Sequence, residues 1–204
     1  WSAALVAPYT GAKVEGTTKL TVKNTASIQN ATLTGGAATV NNNGENSVMK
    51  DVTLTGSAIT LTNEGTVENG TYTAETGAMT ITNHGTISGG TFTGADTTLI
   101  NQADLSGAKV EGTKTLTVTN TASIQNATLT GGAATVDNHG KGSIMKDVTL
   151  TGSAIILTNE GTVENGSYTT ETGAMTITNR GKLSSGMYTA KAGTMDITNE
   201  GTIE

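Results

Sequence analysis

The chain has 204 residues, a formal net charge of −6 and a pI near 4.9, with 34% hydrophobic and only 3% aromatic residues. That is too little apolar material for an ordinary globular enzyme core, and the scattered lysines and arginines leave no nucleic-acid footprint. The absence of cysteine excludes disulfides and thiolate metal sites, and no apolar run is long enough to cross a membrane.

Taken in chain order, residues 1–10 are unlike the rest and read as a lead-in or partial cap, with Trp1 and Pro8 available to shield a first turn. Residues 11–106 form a first long repeat and residues 107–204 a second. Gly11-Ala12-Lys13-Val14-Glu15-Gly16 returns as Gly107-Ala108-Lys109-Val110-Glu111-Gly112, and the copies match at most positions as far as Asn83 and Asn179. Each long repeat reads as five units of about 18–21 residues with no helical periodicity inside them, the signature of a β-solenoid. The expected fold is all-β: a right-handed parallel β-solenoid (β-helix) of about ten turns.

Each unit opens on an aliphatic position, such as Ile28, Met49, Val67 or Ile87. A small residue or valine follows (Ala31, Val52, Gly70, Gly90), then a strand centred on Leu33, Leu54, Tyr72, Phe92 and their counterparts. A Gly-rich turn is expected next, then a second strand centred on residues such as Val40, Leu61 and Ile81. Period-2 alternation turns these centres inward and their threonine flanks outward. The aromatic column Tyr72, Phe92, Tyr168 and Tyr188 is therefore read as core. An asparagine closes each unit: Asn24, Asn42, Asn63, Asn83, Asn101, Asn120, Asn138, Asn159, Asn179 and Asn199. Stacked in register, these can hydrogen-bond along the rod as a ladder. About ten turns at a strand spacing of about 4.8 Å give a rod roughly 45–50 Å long. Its open ends present unpaired edges, and no cap is evident at Ile203.

No residue set points to catalysis, a cofactor or a metal. His84 and His139 occupy a variable turn position also held by Asn43, Glu64, Gln102, Glu160, Arg180 and Glu200. The acids Asp51, Asp147, Glu68 and Glu164 repeat with the scaffold instead of gathering in one cleft, whereas general acid–base work needs two acids in differently perturbed settings. The pairs Gly35-Gly36, Gly89-Gly90 and Gly131-Gly132 lack the aspartate of calcium-binding β-rolls. Sequons at Asn30, Asn69, Asn126 and Asn165 arise wherever an asparagine corner precedes a threonine column.

The candidate interaction face is the Thr-x-Thr column: Thr32, Thr34, Thr53, Thr55, Thr71, Thr73, Thr91, Thr93, Thr128, Thr130, Thr149, Thr151 and Thr169, with Ser167 at one place. A second ladder runs along Thr60/Thr62, Thr80/Thr82, Thr117/Thr119 and Thr176/Thr178. Regular rows of threonine are also the look of β-solenoid ice-binding proteins. Lys13/Glu15 and Lys109/Glu111 interrupt the first ladder, and are candidates for charge pairs between neighbouring rods.

The units Val67-Glu68-Asn69-Gly70-Thr71-Tyr72-Thr73 and Ile87-Ser88-Gly89-Gly90-Thr91-Phe92-Thr93 resemble repeats of bacterial surface adhesins, above all the passenger domains of self-associating autotransporters. The resemblance implies an extracellular or cell-surface location and a structural or adhesive rod. Its partners would be the rod itself, side by side or end to end, or surface glycans and proteins, with no membrane insertion. The chain begins on Trp1 without a signal peptide and stops at Ile203-Glu204 as another unit starts, so it is expected to be a processed or excised part of something larger.

Overall fold

The computed structural model describes residues 9–16 and 18–204. Among the described residues every element is a β-strand, and neighbouring strands pair in parallel. They stack as a β-solenoid of about ten turns with two sheets along the rod, one of short strands and one of long strands. Pairing runs without a break from Thr91–Asn101 to Lys109–Asn120, so the two long repeats are one continuous rod. The partial cap expected at Trp1 and Pro8 lies outside the described residues.

One turn shows the logic. The short strand Val48–Lys50 buries Met49, and the chain then corners at Asp51 with φ +52°. The long strand Thr53–Asn63 follows and buries Leu54, Ile59, Leu61 and Asn63. The same corner recurs at Asn30, Asn69, Gly89, Gly107, Asn126, Asp147, Asn165 and Ser185, all with positive φ. Gly, Asn and Asp take this left-handed conformation most readily, which is why they fill the column at every corner but Ser185. Asp51 and Asp147 are therefore corner residues, and the sequon asparagines are sequons because a corner precedes a threonine strand.

The structure corrects the expected Gly-rich turn between two strands. Six turns carry one unbroken strand there: Thr32–Asn42, Thr53–Asn63, Thr91–Asn101, Lys109–Asn120, Thr128–Asn138 and Thr149–Asn159. Gly35, Gly36 and Gly56 are not in the left-handed region. They are small because neighbouring turns crowd them: a Cβ on Gly56 would lie 2.9 Å from the Gly36 carbonyl oxygen. The strand does break in other turns, as between Thr71–Ala74 and Met79–Asn83.

Variation in turn length falls at defined places. Ladder asparagines are separated by 18 residues in the shortest turns and 21 in the longest. The 21-residue turns carry their extra residues in the corner loops 43–46 and 139–142. The 20-residue turns carry theirs where the long strand breaks, as at 75–78. A 19-residue turn absorbs its extra residue as a bulge between Gly112 and Thr115.

The small column is coupled to the large residue two positions on. The small column is Ala31, Val52, Ala108, Ala127 or Val148 wherever the large residue two positions on is Leu33, Leu54, Val110, Leu129 or Leu150. It is glycine wherever that residue is aromatic: Gly70 with Tyr72, Gly90 with Phe92, Gly166 with Tyr168 and Gly186 with Tyr188. A Cβ on Gly70, Gly166 or Gly186 would overlap the tyrosine ring of its own turn. The rings stack between adjacent turns, Tyr72 on Phe92 at 4.9 Å and Tyr168 on Tyr188 at 5.1 Å between centroids. Stacking by both neighbours is what buries a turn. Met79, Ile81 and Ile87 are 0% exposed, whereas Met195, Ile197 and Ile203 of the last turn are 36%, 47% and 53% exposed.

Two predictions follow from this core. Gly70→Ala forces the Tyr72 ring out of place and lowers the unfolding midpoint, at a cost of about 1–3 kcal/mol. The double variant Gly70→Ala/Tyr72→Leu recreates the Ala31/Leu33 pair and recovers most of the loss in urea unfolding. The second prediction concerns alkaline pH. The Tyr72, Tyr168 and Tyr188 hydroxyls are buried without a hydrogen-bond partner, and burial raises their pKa values, that of Tyr188 to about 12. The unfolded chain releases these protons from about pH 10 while the folded chain holds them. Stability therefore falls as pH rises from about 10 to 12. Replacing the three tyrosines with phenylalanine, already native at Phe92, flattens that fall in a pH series of unfolding curves.

Candidate interaction face

The long-strand sheet sets the threonines in a grid. Thr32, Thr53, Thr71 and Thr91 pair in register across four turns, and Thr34, Thr55, Thr73 and Thr93 do the same beside them. In the second long repeat Thr128, Thr149 and Ser167 form one row and Thr130, Thr151 and Thr169 the other. All are exposed or half-buried. Neighbours along a row are about 4.8 Å apart, and the rows lie about 6.6 Å apart along the strand. Inward Leu or aromatic neighbours anchor each strand, so the outward side chains are held on a stiff backbone.

The interruptions are charged pairs within one rod. Lys13 Nζ lies 2.8 Å from Glu15, and Lys109 Nζ lies 3.7 Å from Glu111. Residues two apart on a strand share a face, so lysine and glutamate satisfy each other there. The second threonine ladder continues on the other limb of the same sheet through Thr60, Thr80, Thr98, Thr117, Thr135 and Thr176. Ile156 breaks it, 50% exposed where the first long repeat has Thr60.

The acids follow the repeat as well. Glu68 pairs with Lys50 at 2.7 Å and Glu164 with Lys146 at 3.2 Å, from one turn to the next on the short-strand sheet. Lys182–Glu204, Arg180–Glu200 and Lys191–Glu171 tie the last turns together in the same way. These exposed pairs add little stability singly. His139 lies near Asp137 and Glu160; His139 and Glu160 share the variable turn column, and Asp137 lies outside it, two residues before His139.

The asparagines form one directional chain of hydrogen bonds. Asn24 Nδ2 donates to Asn42 Oδ1 at 2.6 Å, and the pattern continues turn by turn until Asn179 donates to Asn199 Oδ1 at 2.7 Å. All but the last are 0% exposed. Each amide also reaches backbone. Asn63 Nδ2 donates to Asn83 Oδ1, to the Gly65 carbonyl and to the Thr86 carbonyl of the next turn. The side chain thus fastens the end of the long-strand sheet to the start of the short-strand sheet across the corner. A serine is too short to span this and a glutamine too long.

No protein-family model, no curated protein and no solved structure matches the chain. The fold itself defines the class: a tandem-repeat parallel β-solenoid with a buried asparagine ladder and threonine-rich outer strands.

Because each ladder amide is tied to the turns on both sides, Asn83→Ala leaves Asn101 Oδ1 without its donor, removes one of the three acceptors of Asn63 Nδ2 and opens a hole at the corner. The expected cost is about 2–4 kcal/mol, well above that of a Thr82→Ala change at a half-buried position in the same strand. Thermal unfolding of the two variants checks this.

Proposed function

We propose that the chain is a structural or adhesive rod of an extracellular or cell-surface setting, bacterial by its resemblance to adhesin repeats. It works by self-association, fibre formation or surface attachment through its repetitive faces and ends. Its partners are further copies of the chain or surface glycans and proteins, and we assign it no catalytic step. The observation that supports this reading best is the registration of outward threonine rows along a stiff rod. A repeated face lets many weak, identical contacts act together, so avidity can replace a single deep pocket.

The regular grid also supports a second reading, ice binding. Four consecutive turns from Thr32/Thr34 to Thr91/Thr93 present an uninterrupted double row of methyl and hydroxyl groups. The Lys109–Glu111 pair is the feature that counts against it, since charges standing off the face break a flat plane.

Two assays on the purified chain separate the readings. The rod reading expects association that rises with concentration in sedimentation velocity and clustering of beads that carry the chain. A monomer at every concentration, with inert beads and no binding to a glycan array, contradicts it. Thermal hysteresis with ice shaping, abolished by Thr55→Tyr, favours ice binding and overturns the adhesive reading.

A further inference from the structure

The two long repeats are a natural experiment, because over the span where they match, 11–83 and 107–179, they differ most sharply in one loop. Residues 24–40 are identical to 120–136, and residues 49–59 to 145–155. Between those stretches, Asn41, Asn43, Glu45, Asn46 and Val48 are replaced by Asp137, His139, Lys141, Gly142 and Ile144. The backbone of the loop is unchanged. Gly44 and Gly140 have φ +86° and +85°, and the hydroxyls of Ser47 and Ser143 each donate to that glycine's carbonyl at 2.8 Å. In both copies the glycine N–H holds a glutamate of the next turn, Glu64 at 2.9 Å and Glu160 at 3.0 Å.

On that shared frame the second copy gains two metal-ligating side chains beside a carboxylate already fixed in place. His139 Nδ1 lies 3.3 Å from Glu160 Oε2 and 3.9 Å from Asp137 Oδ2. Two donors on one tetrahedral ion, each about 2.0–2.2 Å from it, stand roughly 3.3 Å apart. The His139–Glu160 separation already matches this, and Asp137 is about 0.5 Å too far. The second Asp137 oxygen, Oδ1, is buried and has no hydrogen-bond partner. The Gly140 N–H on Glu160 supplies the outer contact that orients a ligating carboxylate. Among the described residues no three such side chains converge on one point, so a three-ligand set requires Asp137 to move inward.

We propose that Asp137, His139 and Glu160 form a binding site for a divalent ion of the zinc type, with water completing the sphere. One imidazole nitrogen and two carboxylates suit such an ion. Calcium, which takes six to eight oxygens, is a poor match. The first long repeat, with Asn41 and Asn43 beside Glu64, offers one carboxylate and two neutral amides and is the built-in negative control. The site sits at a corner loop on the rod surface, where an ion could also draw a ligand from another molecule.

The test titrates zinc chloride into the 204-residue chain at pH 7.5 and follows the two imidazoles by NMR. The expected result is a saturable shift of His139 at one equivalent, with His84 unmoved. Asp137→Asn/His139→Asn copies the first repeat onto the second, so its fold is safe, and it abolishes the response. Asn41→Asp/Asn43→His builds the site in the first repeat and raises the stoichiometry to two. The proposal is overturned if His139 shows no saturable shift or if both histidines drift together. It is equally overturned if Asp137→Asn/His139→Asn binds like the parent chain, or if the designed first-repeat site adds nothing. Any of these leaves His139 as an ordinary surface ion pair.

Discussion

One buried asparagine per turn is the constraint on which the rest of the rod depends. An amide out of water with its hydrogen bonds unmade costs about 1–3 kcal/mol, and the ladder repeats that condition turn after turn. Asn63 is satisfied only when Asn83 stands directly beyond it and the Thr86 carbonyl lies across the corner. A slip of one residue would bury a threonine, expose a leucine and leave the amides unmatched. Hydrophobic stacking makes turns adhere, but apolar contacts are not directional. The ladder selects the register in which they adhere, and the outward threonine rows inherit that register.

With the register held, sequence length can vary only where no ladder or core column is crossed. The extra residues accordingly collect at the corner loops 43–46 and 139–142 and at strand breaks such as 75–78. The scaffold thus separates its tasks. Inward columns and corners are fixed by packing and φ, as the exchange of Ala31/Leu33 for Gly70/Tyr72 shows: one pair changes as a unit and the volume stays constant. Outward columns and corner loops are free to change, and there the two long repeats part company, with Asp137, His139, Lys141 and Ile156 in the second copy.

Most of the fold was legible because a solenoid writes its contacts as columns. The inward positions of Leu54, Leu61 and Met49 and the asparagine column follow from spacing alone. The continuity of Thr53–Asn63 was not legible. Glycine in a sequence signals a reversal or a close approach equally well, and only the nearness of Gly36 to Gly56 shows which applies. The pairing of Lys109 with Glu111 within one strand was not read, because a column view looks along the rod, whereas these two residues meet along the strand. The Asp137–His139–Glu160 grouping was missed because His139 and Glu160 were read as one variable turn column and Asp137 lies outside it. Its signal was present as a difference between the copies, which a search for sameness passes over.

Side-chain amide hydrogen exchange tests the central claim most directly. The Nδ2 protons of Asn42, Asn63, Asn83, Asn101, Asn120, Asn138 and Asn159 should exchange only through opening of neighbouring turns, orders of magnitude more slowly than those of the exposed corner residues Asn30, Asn69, Asn126 and Asn165. Equal, fast exchange in the two sets would contradict the account, because a ladder open to water cannot fix the register of the rod.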